Sequence, residues 1–331
     1  MKVKLFLATS LLIGFSYFVS ATGTFAISHA SESLGLPEKF TSSHATESLD
    51  SNGNVTISQS TEPIDSNDVL TFSLYIPFMG LGSTLIHDEV FVSAGEFQMG
   101  CDPEHNDGYE CNEQHQLHAV YLDDYYIDKY EVTNAKYAAF LNNRGANDCG
   151  PYNRCIDLED TYLTFQSDQY IVEAGYENHP VNAVTWYGSD AYCISVERRL
   201  PTEAEWEKAA RGSSDTRPYP WGDETPNCNL VNYRACVGGT SAVGNFPLGA
   251  SPSGAMDMSG NIMEWVNDRY DADYYSYAPY RNPQGPDSGH TRVQKGAAWH
   301  FNELSVRVAA RKHYFPYKEH LRFGFRCAHT P

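Results

Sequence analysis

Two textures divide the chain. Over residues 22–88 Ser, Thr, Glu, Asp and Asn dominate and apolar residues recur with no fixed period, so this stretch reads as a disordered spacer. One apolar patch, residues 69–82, interrupts it. Pro77 and its glycines make it a poor helix and it is too short to span a bilayer, which leaves a docking strand. From Val90 the pattern sharpens. Residues 91–100 alternate around Ala94-Gly95, the form of a hairpin, and residues 118–128 alternate again as a strand. Near the end Leu304, Val306 and Val308 stand at period two with Ser305 and Arg307 between them, which predicts a half-buried strand.

Helical signals are few and short. Thr133 or Asn134 caps a helix over residues 135–141. A second begins near Thr185, with Trp186, Ala191 and Ile194 near one face and Cys193 close beside them. A third is specified almost residue by residue in the string from Arg199 to Gly212. Thr202 and Glu205 form a capping box, Gly212 suits the position after the last turn, and Glu203 and Arg211 complement the helix dipole. Few helices among many short strands and long loops predict one α+β domain over residues 89–331, not a βαβ repeat.

Charge and cysteines then narrow the setting. The 331 residues carry a formal charge of −19, spread along the chain, which repels nucleic acid and anionic membranes. Lys2 and Lys4, the apolar run over residues 5–19 and Val19-Ser20-Ala21 read as a signal peptide over residues 1–21, which would leave no transmembrane segment in the mature chain; the alternative is an uncleaved anchor, for which the apolar core is near the short limit. Secretion is therefore expected, and eight cysteines behind an export signal favour disulfides. Cys101 and Cys111, Cys149 and Cys155, and Cys228 and Cys236 each bracket a short loop, leaving Cys193 and Cys327. No Cys-x-x-Cys pair supports zinc, and Ser-His-Asp and Gly-rich phosphate motifs are absent.

Two stretches carry candidate chemistry. Asp257-Met258-Ser259-Gly260-Asn261-Ile262-Met263-Glu264 sets two carboxylates about a Gly turn, as a hard Ca²⁺ ion needs; the alternative is a turn whose Glu264 only accepts backbone hydrogen bonds. The second is the segment from Lys295 to Ala328, where aromatic and His side chains on loops can line a pocket. His300, His313 and His320 lie in it, but nothing in their spacing fixes a common face for a metal.

Several strings in this chain together resemble the formylglycine-generating enzyme (sulfatase-modifying factor) family, and the likeness covers about residues 90–328. They are Gly296-Ala297-Ala298-Trp299, Phe323-Gly324-Phe325-Arg326, Tyr219-Pro220-Trp221-Gly222 and, most specific, Arg199-Leu200-Pro201-Thr202-Glu203-Ala204-Glu205-Trp206-Glu207. The resemblance implies an α+β, C-type-lectin-related single domain and a Cys193–Cys327 bridge. It implies calcium held by the carboxylates of Asp257 and Glu264 and the carbonyls of Gly260 and Ile262. A second calcium loop would start at Asn229-Leu230, but its acidic partner falls near Ala235. Catalytic members hold copper on two cysteines after the Gly-rich turn, and here no cysteine lies between Cys236 and Cys327. Copper is therefore not expected. The expected function is recognition, without catalysis, of an extracellular peptide, protein or glycan. Its contacts would be Trp299, His300, Phe301, Asn302, His313 and Tyr314. The alternative is an oxidase that makes formylglycine from a cysteine of sulfatase-type substrates.

Overall fold

The computed structural model describes residues 44–49, 55–60, 88–105, 111, 116–150 and 154–331. The segment expected to be a signal peptide and the apolar patch over residues 69–82 lie outside the described residues. Two units make up the chain, Met1–Leu85 and Ile86–Pro331. In the first, β1 (His44–Leu49) and β2 (Val55–Ser60) pair antiparallel, His44 opposite Ser60. A hairpin thus stands inside the stretch whose composition predicts disorder; the β-branched residues Val55, Thr56 and Ile57 favour extended backbone there.

The second unit is α+β. Strands β3 (Glu89–Val92), β6 (Tyr125–Asp128) and β13 (Ala328–His329) form one sheet, with β6 in the middle. Strand β4 (Gly95–Met99) pairs with β5 (His118–Leu122), and β7 (Leu163–Gln166) with β8 (Gln169–Val172). The predicted hairpin over residues 91–100 is therefore two strands in two sheets. Gly95, at φ 144°, redirects the chain between them in a region that favours glycine. The four-stranded sheet runs β11-β10-β9-β12, from β9 (Met263–Arg269), β10 (Arg292–Lys295), β11 (Lys312–Tyr314) and β12 (Phe323–Phe325).

The helices start where their caps predict. Thr133 caps α1 (Asn134–Arg144) and Thr185 caps α2 (Trp186–Ser195), each accepting a backbone N–H three residues on. Helix α3 (Glu203–Arg211) has both halves of its Thr202–Glu205 capping box. In α2 the predicted face is only partly right: Trp186 and Cys193 are buried, but Ile194 is 62% exposed. The strand predicted through Leu304 is absent. Successive turns replace it, with Ser305 N–H donating to Asn302 and Ala310 N–H to Arg307, while Val306 and Val308 enter two different cores.

All nine residues of α3 are buried, although five are charged. Each charge is answered. Glu203 takes the Arg311 guanidinium at 2.7 and 2.9 Å, and Glu207 takes Lys295 at 2.8 Å and Arg211 at 3.1 Å. Lys208 donates to the carbonyls of Ser93 and Gly95, and Glu205 binds Arg199. Lys295 and Arg211 hold the Glu207 carboxyl at about 2 against the pull of burial. Its contribution to stability is present above the ordinary value of 4.5 and is lost as pH falls through about 2. The expected result is that Glu207→Gln destabilises at neutral pH by about 3 kcal/mol, since buried Lys295 loses its 2.8 Å partner and keeps only Glu203, at 3.7 Å. Urea unfolding checks this, and the difference from wild type should narrow toward pH 2.

Four disulfides tie the second unit: Cys101–Cys111, Cys149–Cys155, Cys193–Cys327 and Cys228–Cys236. Cys193 fastens the end of α2 beside β12 and β13, and no cysteine is free.

Candidate functional site

Two regions gather the residues singled out by the sequence. The first is a buried charge centre around the loop before β9. Asp257, Gly260 and Asn261 all have positive φ, at 56°, 76° and 55°. Gly260 is obligatory in space as well, because a Cβ there would stand 2.3 Å from the Asn232 carbonyl oxygen. The turn delivers Glu264, at the start of β9, to a fully buried position. Arg326 in the β12–β13 link grips both Glu264 oxygens at 2.7 Å, and Trp206 Nε1 of α3 donates to Oε2 at 2.9 Å.

Two more carboxylates face this centre. Asp257 Oδ2 accepts the Gly244 N–H at 2.6 Å, and Glu131 Oε2 accepts Asn261 Nδ2 at 2.9 Å. Glu131 Oε1 is buried without a partner. Burial, then the charges of Asp257 and Glu264, push the Glu131 carboxyl far up. Burial likewise pushes Asp257 up to about 6. Three buried carboxylates thus surround one guanidinium. Sequence reasoning missed Glu131, because its signal was only that of a residue just ahead of a helix cap.

The fit to a hard dication is decided by donors. Excess buried carboxylate, an orphaned carboxylate oxygen and a Gly turn are the oxygen-rich chemistry that calcium takes. Among the described residues no three His, Cys, Asp or Glu side chains converge on a metal position. Such an ion would therefore draw on backbone carbonyls, those of Gly260 and Ile262 in the reading from the sequence. Around the second candidate loop, Asn229 is exposed and its N–H donates to Asn227 Oδ1. The Leu230 carbonyl faces Gly249, where a Cβ would lie 1.9 Å away, and Cys228–Cys236 closes the loop.

The second region is the C-terminal loop surface. Trp299, His300 and Phe301 stand in a row, Trp299 edge-on to His300 and His300 tilted against Phe301, with ring centroids 5.1 and 4.4 Å apart. Arg322 lies over the Phe301 ring at 5.6 Å, and its charge also acts on His300 and His320. Burial, then Arg322, then His320 hold the His300 imidazole below its usual range; burial and then Arg322 do the same to His320, with Asp160 opposing. Tyr314 reaches this neighbourhood through Phe323, which also touches His320. Asn302 is exposed, and its Oδ1 accepts from Ser305. His313 stands apart, stacked on Tyr270 at 3.8 Å and bonded to Thr291. The sequence does not point to Arg322, which stands just ahead of the Phe323-Gly324-Phe325-Arg326 string. Of the tyrosines after β9, Tyr274 and Tyr275 are buried, while Tyr277 and Tyr280 are exposed.

The short mixed strands, the buried third helix and the Glu264–Arg326 centre define a distinct class of α+β domain. The chain belongs to the sulfatase-modifying factor enzyme 1-like domain family, whose model matches residues 81–331. It is 34% identical over 246 residues to the serine/threonine-protein kinase pkn1 of Chlamydia caviae, covering 74% of this chain but only 38% of that relative. The chain therefore spans less than two fifths of that protein's length. It is 31% identical over 279 residues to the formylglycine-generating enzyme of Streptomyces coelicolor, covering 72% of this chain and 88% of that enzyme. Among solved structures, PvdO from Pseudomonas aeruginosa shares the fold, with a TM-score of 0.58, 24% identity and coverage of 72% of this chain and 93% of PvdO.

Proposed function

We propose that this protein is a secreted, non-catalytic recognition module that presents its C-terminal loop surface to a peptide, protein or glycan, with calcium as a structural ion. The observation that carries this reading is the fate of sulfur. All eight cysteines are joined in disulfides, and the segment after the Gly296 turn holds none, so no thiolate pair is available for copper. Four disulfides also suit an oxidising compartment outside the cytoplasm. In place of sulfur the surface offers aromatic rings, among them half-exposed Phe315 and Tyr317 stacked on each other.

Two measurements test the proposal. Panning a random-peptide phage library and a glycan array on the immobilised protein should yield ligands that bind at least about tenfold more weakly to Trp299→Ala or Phe301→Ala. The same protein, given a cysteine-containing sulfatase-motif peptide, copper and oxygen, should form no aldehyde by mass spectrometry. Aldehyde formation would overturn the recognition reading in favour of the oxidase.

Calcium would be held by Asp257, Glu264 and the carbonyls of Gly260 and Ile262, with Glu131 beside them. A cation that binds only the folded state raises stability by mass action, about 2.7 kcal/mol at a hundredfold excess over Kd. Chelation should therefore lower the melting temperature of wild type and leave Asp257→Ala unmoved. A wild-type melting temperature indifferent to chelator would reduce the loop to a turn.

A further inference from the structure

In a chain with 42 acidic and 23 basic residues, a guanidinium left without a carboxylate is unusual. Arg322 is such a group. Among the described residues it makes no ion pair, its Nε is buried without a partner, and its guanidinium lies over the face of Phe301. Beside it His300 and His320 each keep a buried Nδ1 with no partner. Buried polar atoms left unbonded are costly. The Arg322 N–H can only donate, and each imidazole Nδ1 donates in one tautomer and when the ring is protonated.

The nearby carboxylates do not answer them. Glu303 is paired with Arg234 at 3.0 Å and Glu319 with Arg154 at 2.7 Å. Asp160 acts on His320 from an exposed loop position without bonding to it. The exposed Asn302 amide spends its oxygen on Ser305. A neutral sugar offers no charge to offset a guanidinium; this patch sets an unpaired guanidinium, which can only donate, and two imidazoles beside aromatic rings. It suits a ligand group that only accepts hydrogen bonds and is joined to an apolar body.

We propose that Arg322, His300 and His320 bind a carboxylate of an acidic peptide, with Trp299 and Phe301 receiving an apolar side chain next to it. This deepens the recognition reading and rests on it. The guanidinium fork matches the two carboxylate oxygens; His300 and Arg322 lie against the same Phe301 ring, at 4.4 and 5.6 Å, and His320 lies against Phe323, the residue after Arg322. Arg322 now helps to keep both imidazoles neutral. An anion seated on Arg322 offsets its charge, so both take up protons more readily and binding strengthens as pH falls.

The probe is N-acetylphenylalanine, compared with its amide, glucuronate and phenyl sulfate at millimolar concentration. The readout is the ring-proton shifts of His300 and His320 in the full chain. N-acetylphenylalanine should move both and the amide neither. Arg322→Gln should weaken binding at least about tenfold. His300→Gln, with a thermal melt as a check of folding for each variant, should shrink the gain in affinity from about pH 8 to about pH 5.5, and His300→Gln with His320→Gln should abolish it. Equal binding of the amide, indifference to Arg322→Gln, saturation by glucuronate or phenyl sulfate alone, or no shift with any probe would each overturn the inference. Library or array ligands that depend on Trp299 but ignore Arg322→Gln would overturn it while leaving the recognition reading intact. Loss of both dependences sinks both.

Discussion

Arg326→Met should cost about 3–5 kcal/mol of unfolding free energy at neutral pH, more than a substitution of similar size on the surface. Arg326 is fully buried and uses its whole fork: two bonds to Glu264, and further bonds to the carbonyls of Asp128, Lys129 and Met256. Without it, Glu264, Asp257 and Glu131 share a buried site with no side-chain cation. A buried pair broken on one side costs far more than one removed on both, so Arg326→Met with Glu264→Gln should recover part of the loss. The effect must also depend on pH. Burial raises the Asp257 pKa from 3.8 to about 6, so the stability its neutral form contributes is fully present below 3.8 and lost as pH rises through about 6. Removing the guanidinium raises the carboxyl further and adds to that loss. With chelator present, so that no cation holds Asp257 ionised, the gap between variant and wild type should widen from pH 4 to pH 7 in urea titrations. A loss below about 1 kcal/mol would mean that solvent reaches the centre.

The parts of the fold that were legible in the sequence are those fixed by local chemistry. Thr133, Thr185 and Thr202 each announce a helix, because an N-cap is a contract between residues three apart. Long-range pairing was not legible. Residues 91–100 read as one hairpin, yet β3 pairs with β6 and β4 with β5, since nothing local says which partner an alternating segment will meet. Leu304, Val306 and Val308 show the same limit: period two also arises when successive turns drop side chains into separate cores. At the site, the motif strings located Glu264 and Trp299. Glu131 and Arg322 were not found, because each matters only through residues about 130 and 20 positions away in sequence that the fold brings beside it.

Opening Cys193–Cys327 should destabilise the second unit more than opening any of the three local bridges. Both sulfurs are fully buried, Cys193 in the last turns of α2 and Cys327 between β12 and β13. The bridge closes 134 residues of sequence, and in the chain-entropy model a loop of that length is worth about 5 kcal/mol, against about 2.5 kcal/mol for the 8 residues closed by Cys228–Cys236. The same contact also carries native packing. Cys193 and Cys327 both lie in the core that holds Tyr137, Tyr192, Trp265 and Phe325, and the Cys327 N–H donates to Asp128 Oδ2 at 2.9 Å. Cys193→Ala with Cys327→Ala should therefore lower the urea midpoint about twice as far as Cys228→Ala with Cys236→Ala. The slope of the long-range variant should also rise, because its unfolded chain is less compact. Peptide mapping without reductant must first find the two bridges in wild type. If the two double variants lose equal stability with unchanged slopes, the disulfide acts through local packing alone and not by tying α2 to the C-terminal strands.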